Sequence, residues 1–569
     1  MRSPFLWLAV ALHLMLASTY AWTTPHFEGP DENSHYEYAW HLANAGKLPL
    51  TPSLQRERGL PQTEAAVLAH HPPLYYALLA AAMVAAGERD VVFGPLPNPR
   101  WGDPAAPSGK LHFLHAAHDH ALLNWLRMLS VLLGAVTIVC VHGLGRACCP
   151  RAPRVADLAA WLVACLPMWS SLHGLLNSDV LAATLAAATT LLLVRTLQSE
   201  RVGAGRGIAL GALLGAALLT KLTTLFLCGL AGLVATIVLR RRRASMLPPA
   251  AALLATCAIS GWAFWRNLSL YGDPLAMNAH DASFQPLPPE YRWPYLLGLD
   301  ASLPAFLPEL FASLFGRFGW FAVEPHPALL WCGAVIAGFA TIGLVRACFD
   351  REPTHRPRAG WLLLLACALV LLATAYFNFK VYQPQARLLF PAVAPAAVLL
   401  AAGLDRMTAG APFRRFALLL LPATAALVYF GTFRPALAKG LAPAPVEHRN
   451  LVGGIVAPDG PQSIQWRSDV PSEPRTSPPT LRWTDADAPA GTRYTLYAFD
   501  ADGRIWLATH EWAHDAVRIT GDTFAIPAPV WEFLPHGVPL LLRLRRLPTT
   551  ADERPCELVC SPSLPLTRR

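Results

Sequence analysis

The sequence predicts an all-α polytopic membrane domain of about 11 transmembrane helices, followed by a small β-sandwich-like domain. Of the 569 residues, 54% are hydrophobic and only 15% charged, more apolar surface than a soluble chain needs for its cores. The apolar residues come in blocks long enough to cross a bilayer, such as LLNWLRMLSVLLGAVTIVCVHGL from Leu122 and WLLLLACALVLLATAYF from Trp361. From about Arg434 the blocks stop and short alternating runs begin, so the expected division is 1–434 and 435–569.

The expected spans start near Phe5, Ala121, Val155, Val180, Gly207, Thr223, Leu247, Pro327, Ala359, Leu388 and Phe416. The first block, Phe5 to Trp22, contains small residues that a signal peptidase accepts, but it is expected to be retained and so to anchor the polar segment that follows. A long loop, 25–120, separates it from the second span. Within that loop PLYYALLAAAMVAAG, Pro73 to Gly87, is short for a crossing. If it lies along the surface, RACCPRAPR, VRTLQSERVGAGR, RRRR (Arg240 to Arg243), RACFDREPTHRPR and DRMTAGAPFRR all share the side of the amino terminus, the cytoplasm by the positive-inside rule. PDENSH, HHPP, NSD, the Lys221 turn, WRNLSLYGDPL, VYQPQAR and the carboxyl-terminal tail then face outward. Pro73 to Gly87 is therefore expected to be a juxtamembrane helix.

This topology also accounts for the formal charge of +9, since the basic residues sit mostly in short loops, and no nucleic-acid partner is expected. Nine of the 11 cysteines lie in or beside apolar blocks, whereas Cys556 and Cys560 in the tail can form a disulfide if the tail is extracytoplasmic. In the tail, TLRWTDAD, RYTLYAFDADGRIWLATHEW, TFAIPAPVWEFL and PLLLRLRRL alternate apolar and polar residues, with a hairpin turn expected at Asp500 to Arg504. No metal or nucleophile signature stands out there, and a docking or structural role is expected.

The chemistry-bearing residues gather on the expected outer face. Asp31 and Glu32 follow the first span, where an acid can take the proton from an attacking hydroxyl or simply cap a helix. HHPPLYY from His70 suits an interface, with anchoring as the bland reading. Asn177 and Asp179 sit in a short turn between spans, and Lys221 lies between two apolar stretches with almost no loop around it. Arg266 and Arg387 carry forks that match phosphate oxygens, with interfacial anchoring as the alternative. His35, Glu32, His70 and His71 can supply metal ligands, yet no tight spacing such as HExxH is present; a divalent cation is left open, and no obligatory structural zinc is expected.

The order PDENSHYEY, HPPLYY, NSDVLAA, GALLGAALLTKL, RNLSLYGDPL and QARLLFPAVAPA, spread over roughly Met1 to Arg434, resembles the GT-C superfamily of integral-membrane glycosyltransferases, which includes protein O-mannosyltransferases and the aminoarabinose transferases of lipid A. The resemblance implies a bacterial inner-membrane enzyme that transfers a monosaccharide from a polyprenyl-phosphate donor to a glycan, glycolipid or protein acceptor by inverting single displacement. Asp31 matches the first-loop catalytic acid, with Glu32 its companion or a metal ligand. His35, His71, Asn177, Asp179, Lys221, Arg266, Tyr271, Asp273, Gln385 and Arg387 are the substrate-binding candidates. The stretch Glu88 to His120 departs from the compact pattern and is a candidate for acceptor recognition. The competing readings are a transporter or lipid flippase with these groups along a path, and a non-catalytic assembly protein of the cell envelope.

Overall fold

A computed structural model describes residues 3–60, 63–87, 98, 111–113, 121–242, 245–283, 302–318, 323–348, 357–380, 382–407, 421–440, 463–467, 474–489, 491–501, 505–509, 519–546 and 561–568. The arginine run at 240–243, the Asp500 to Arg504 turn and most of Glu88 to His120 fall partly outside these residues, and Cys556 and Cys560 wholly so.

The chain is a multi-pass membrane protein. Eight described helices are long and apolar enough to cross a bilayer, nine if one bent pair is a single span. They are α1 (Pro4–Thr23), α6 (Ala121–Cys148), α9 (Ser178–Gln198), α11 (Phe226–Arg242), α12 (Leu247–Tyr271), α15 (Pro327–Cys348), α16 (Pro357–Lys380) and α17 (Val393–Met407), the last preceded by the 3-10 turn Ala386–Ala392. The bent pair is α7 (Arg154–Ala164) and α8 (Pro167–His173), which meet at 64°. Pro167 breaks the expected span from Val155, because it cannot donate to the helix ladder and starts a new helix instead. The expected span near Gly207 is α10 (Ala204–Leu218), whose 15 residues are short for a crossing, and the one near Phe416 begins outside the described residues. These positions account for the difference from the expected 11. Between α1 and α6 run α2 (Glu32–Ala45), α3 (Pro52–Glu57), α4 (Glu64–Val67) and α5 (Leu74–Ala86); after α12 come α13 (Met277–Ser283) and α14 (Ser302–Leu314).

The helix ends follow local rules. Asn177 caps α9, its Oδ1 accepting from the Asp179 N–H at 2.8 Å, with Asp179 in the first turn and Arg195 in the last. Gly272, at φ 66°, closes α12 in the left-handed conformation. The apolar core is built on α6 and α9 with α1, α5, α7 and α17 around them. Peripheral helices turn large apolar side chains outward, among them Leu254 of α12, Trp331 of α15 and Trp361 of α16, as a lipid-facing surface requires.

The two ends of the bundle differ. At one end Ser3 donates to Asp157, Arg154 pairs with Asp405, and Gln198 reaches the Ala147 carbonyl at 3.0 Å, joining the basic loops. At the other end the C-termini of α1, α8 and α10 and the N-terminus of α9 meet α2, α5 and the 3-10 turn.

The carboxyl-terminal region forms two antiparallel sheets. One has the order β1 (Ile464–Trp466), β2 (Thr480–Asp485), β6 (Thr523–Ala525). The other runs β4 (Ile505–Ala508), β3 (Arg493–Phe499), β7 (Pro539–Arg546), β8 (Leu564–Thr567), with β5 (Ile519–Thr520) also on β3. Trp483 and Leu481 from the first sheet and Leu496, Leu542 and Leu544 from the second share one apolar core, the packing of a small sandwich.

Candidate functional site

After α1 the chain turns sharply, and two non-glycine residues, Phe27 (φ 68°) and Asp31 (φ 60°), take the left-handed conformation. Such residues persist only where their surroundings hold them, and they concentrate at functional sites. Glu32 does the holding. It is fully buried and accepts from four N–H groups: Arg127 Nε at 2.8 Å, Arg127 Nη2 at 2.7 Å, Leu176 N at 2.9 Å and Phe27 N at 3.0 Å. Arg127, equally buried on α6, also donates to the carbonyls of Ala21, Thr24 and Pro25. One ion pair thus ties the end of α1, the first loop and the start of α9 to α6. Arg127 was not among the expected site residues, although an arginine inside an apolar block signals a specific partner.

Asp31 occupies the N-cap position of α2 but makes no capping hydrogen bond. Its left-handed backbone turns the carboxylate away, and Oδ2 accepts from Arg387 Nη2 at 2.9 Å. Capping therefore does not explain this acid. The Asp31 side chain retains 32% of its exposure, in contrast to Glu32 at 0%. Partial burial pushes the Asp31 carboxyl up, but Arg387 above all, with Lys221, holds it below the usual carboxylate value, so it is ionised at neutral pH.

Beside it, Lys221 Nζ donates to Asp179 Oδ1 at 2.6 Å, while the buried Asp179 Oδ2 has no partner among the described residues. Leu74 N bonds the Leu219 carbonyl at 2.8 Å, fixing the start of α5 against the Lys221 turn. The Tyr76 hydroxyl bridges His35 Nδ1 at 3.0 Å and His71 Nδ1 at 2.9 Å, and its ring stacks on Tyr38. Burial pushes the His35 imidazole down to about 3, with Asp31 opposing and Lys221 and Arg387 adding to the shift. Burial likewise holds His70 and His71 well below 6.5, so all three are neutral. Asp31, His35, His71, Asp179, Lys221 and Arg387 form one cluster in which two carboxylates balance two cations.

Two cavities flank the cluster. One, of about 60 Å³, has Arg387 and Gln385 together with Thr24, Glu28, Ser171, Ser313 and Arg317 on an otherwise apolar wall. The other is lined by Arg266, Asn267, Tyr38, His70, His71 and apolar side chains from α10 and α12. Arg266 donates to the Pro49 carbonyl at 3.2 Å, and the Tyr271 hydroxyl is buried without a partner among the described residues. Two expected residues have local work instead. Asn177 caps α9, and Asp273 accepts from the N–H groups of Leu275, Met277 and Asn278, closing the turn before α13. Among the described residues, no three His, Cys, Asp or Glu side chains converge on a metal position.

Residues 121–265, from the start of α6 into α12, match the model of the dolichyl-phosphate-mannose-protein mannosyltransferase family. This stretch holds Arg127, Asn177, Asp179 and Lys221. That family is among those the order of motifs resembles. No curated protein matches the sequence.

Among solved structures the chain is similar to ArnT from Cupriavidus metallidurans bound to undecaprenyl phosphate, at 18% identity and TM-score 0.41, over 70% of this chain and 60% of that one. It is also similar to the oligosaccharyltransferase AglB from Archaeoglobus fulgidus, in complex with an inhibitory peptide and a dolichol-phosphate, at 13% identity and TM-score 0.40, over 78% and 56%. A third is the S. cerevisiae protein O-mannosyltransferase Pmt1-Pmt2 complex bound to the sugar donor, at 17% identity and TM-score 0.31, over 50% and 34%. The match thus spans about 60% of the length of the first of these structures.

Proposed function

We propose that this protein is a membrane glycosyltransferase that moves a monosaccharide from a polyprenyl-phosphate donor to an acceptor hydroxyl on the outer face of the inner membrane, by inverting displacement. The observation that carries the reading is the Asp31 carboxylate: it is ionised, partly open, turned away from its own helix and set beside the cations Arg387 and Lys221. The family match over residues 121–265 supports the same class.

In this reaction the acceptor oxygen attacks the anomeric carbon as the bond from that carbon to the phosphate oxygen breaks. The bonding pair leaves with the lipid phosphate, and the acceptor proton passes to Asp31. Lys221, Arg266 and Arg387 are the candidates to stabilise the developing phosphate charge, acting as fixed cations with no covalent intermediate. The cavity at Arg266 and His71, with its apolar walls, is assigned to the lipid phosphate; the cavity at Gln385 and Arg387 is assigned to the acceptor. Glu32 acts through Arg127 as a positioning residue, since its oxygens are engaged by the protein. The basic loops at the opposite end support a cytoplasmic amino terminus, with the site and the β-rich domain outside.

The test is release of polyprenyl phosphate from synthetic polyprenyl-phospho-sugars, with membrane extract as the acceptor source, comparing wild type with Asp31→Asn at matched expression. Acceptor-dependent turnover that collapses in Asp31→Asn is expected. Undiminished turnover in the variant overturns the assignment of Asp31. No turnover with any donor, together with lipid or solute movement in vesicles, overturns the transferase reading in favour of a transporter.

A further inference from the structure

At the basic end of the bundle, α10, α11 and α12 enclose a cavity of about 250 Å³, with Leu210, Leu214, Val234, Val238 and Leu253 on its walls. Its origin is geometric. A Cβ on Gly207 would lie 2.1 Å from the Pro248 carbonyl oxygen, and one on Gly211 would lie 2.2 Å from that of Ala252, so the backbones of α10 and α12 are in contact. Helix α11 packs instead on α9 and α16, and the short α10 leaves the wedge between them unfilled.

The polar groups at the mouth are unequal. Thr196 and Thr256 bond back to carbonyls in their own helices, at 2.7 and 2.8 Å. Arg206, half-buried and held by Ser199, is the charged residue in the lining, which contains no acid. Exposed Arg195, Arg201 and Arg240 lie on the neighbouring helix ends and loop. Seventeen residues of α9 separate Thr196 from Asp179, about 25 Å at the helical rise, so the cavity is remote from the catalytic cluster.

We infer that this cavity is a binding site for one anionic phospholipid, with an acyl chain between α10, α11 and α12 and the phosphodiester on Arg206. A guanidinium fork matches phosphate oxygens. The surrounding arginines favour a head group of net negative charge and oppose one that also carries an ammonium.

The test is native mass spectrometry of the full chain, stripped in detergent and then offered phosphatidylglycerol or phosphatidylcholine with the same acyl chains. Wild type is expected to retain one phosphatidylglycerol in preference to phosphatidylcholine. Arg206→Gln should cut that preference about fivefold, the effect of one basic residue at an anionic lipid head group. Ala235→Phe, which fills the cavity, should abolish retention of either lipid without changing the unfolding midpoint in detergent alone; Ala231→Leu serves the same purpose if Ala235→Phe does not fold. Equal retention of the two lipids by wild type, or unchanged retention in the cavity-filled variant, overturns the inference.

Discussion

Adjacent acids, Asp31 and Glu32, should respond very unequally to the loss of a charge. Glu32→Gln keeps the shape of the side chain but puts an NH₂ group against N–H donors and leaves Arg127 charged without its counter-ion, both groups being fully buried. Removing one partner of a buried pair costs about 3–5 kcal/mol. Asp31→Asn weakens the pair with Arg387, in which the carboxylate is partly open to solvent, and keeps an oxygen acceptor for the guanidinium, so the loss should be smaller. The assay is thermal unfolding in detergent followed by tryptophan fluorescence. Ranked midpoints are the readout, because a chain with a separate β-rich region need not unfold in two states. Glu32→Gln should fall well below wild type, with Asp31→Asn close to it. Adding Arg127→Met to Glu32→Gln should cost less than the sum of the two single changes, since the double variant leaves no buried charge behind. Equal midpoints for Glu32→Gln and wild type, or additive losses in the double variant, would refute the structural role given to the Glu32–Arg127 pair.

Two predictions concern pH. Arg387 is the largest of the influences holding Asp31 down, so Arg387→Gln should move the acid limb of the kcat/KM profile to higher pH; an unmoved limb would mean that another group sets it. Glu37 is pushed up from 4.5 to about 7 by burial and by Glu64. Between those pH values the folded state keeps a proton that the unfolded state has lost, so stability falls as pH rises. Glu37→Gln should therefore gain on wild type from about pH 4.5 to 7 and hold a constant advantage above, at most about 3 kcal/mol, in unfolding midpoints measured across pH; a gain that does not change with pH would rule this out.

Hydropathy and charge were enough to read the membrane helices and the β-rich end, because a helix that faces lipid must be apolar along its whole length. Pro167 was legible as a breaker yet was absorbed into a long apolar block, and α10 has an apolar composition without the length. At the site, Asp31, Asp179, Lys221 and Arg387 were each visible as charges beside apolar stretches. Their pairing was not, since Asp31 and Arg387 lie 356 residues apart and spacing says nothing about such a contact. Arg127 was hidden by its block: one charge within the apolar stretch of a 28-residue helix, whose other arginine, Arg146, sits in the last turn, barely changes its hydropathy. Asp273 shows the opposite failure, a charged residue beside a suggestive motif whose oxygens only close a turn.

The separation of Asp31 from Arg387 has a consequence for how the chain is made. Glu32 meets its partner after 95 residues, whereas Asp31 waits for 356. At about 5–20 residues per second of synthesis, that wait is roughly 20–70 s. The ribosome therefore delivers the partner that holds the first loop long before the partner that pairs with Asp31. A chain that ends before residue 387 has the partner of Glu32 but lacks the arginine that pairs with Asp31.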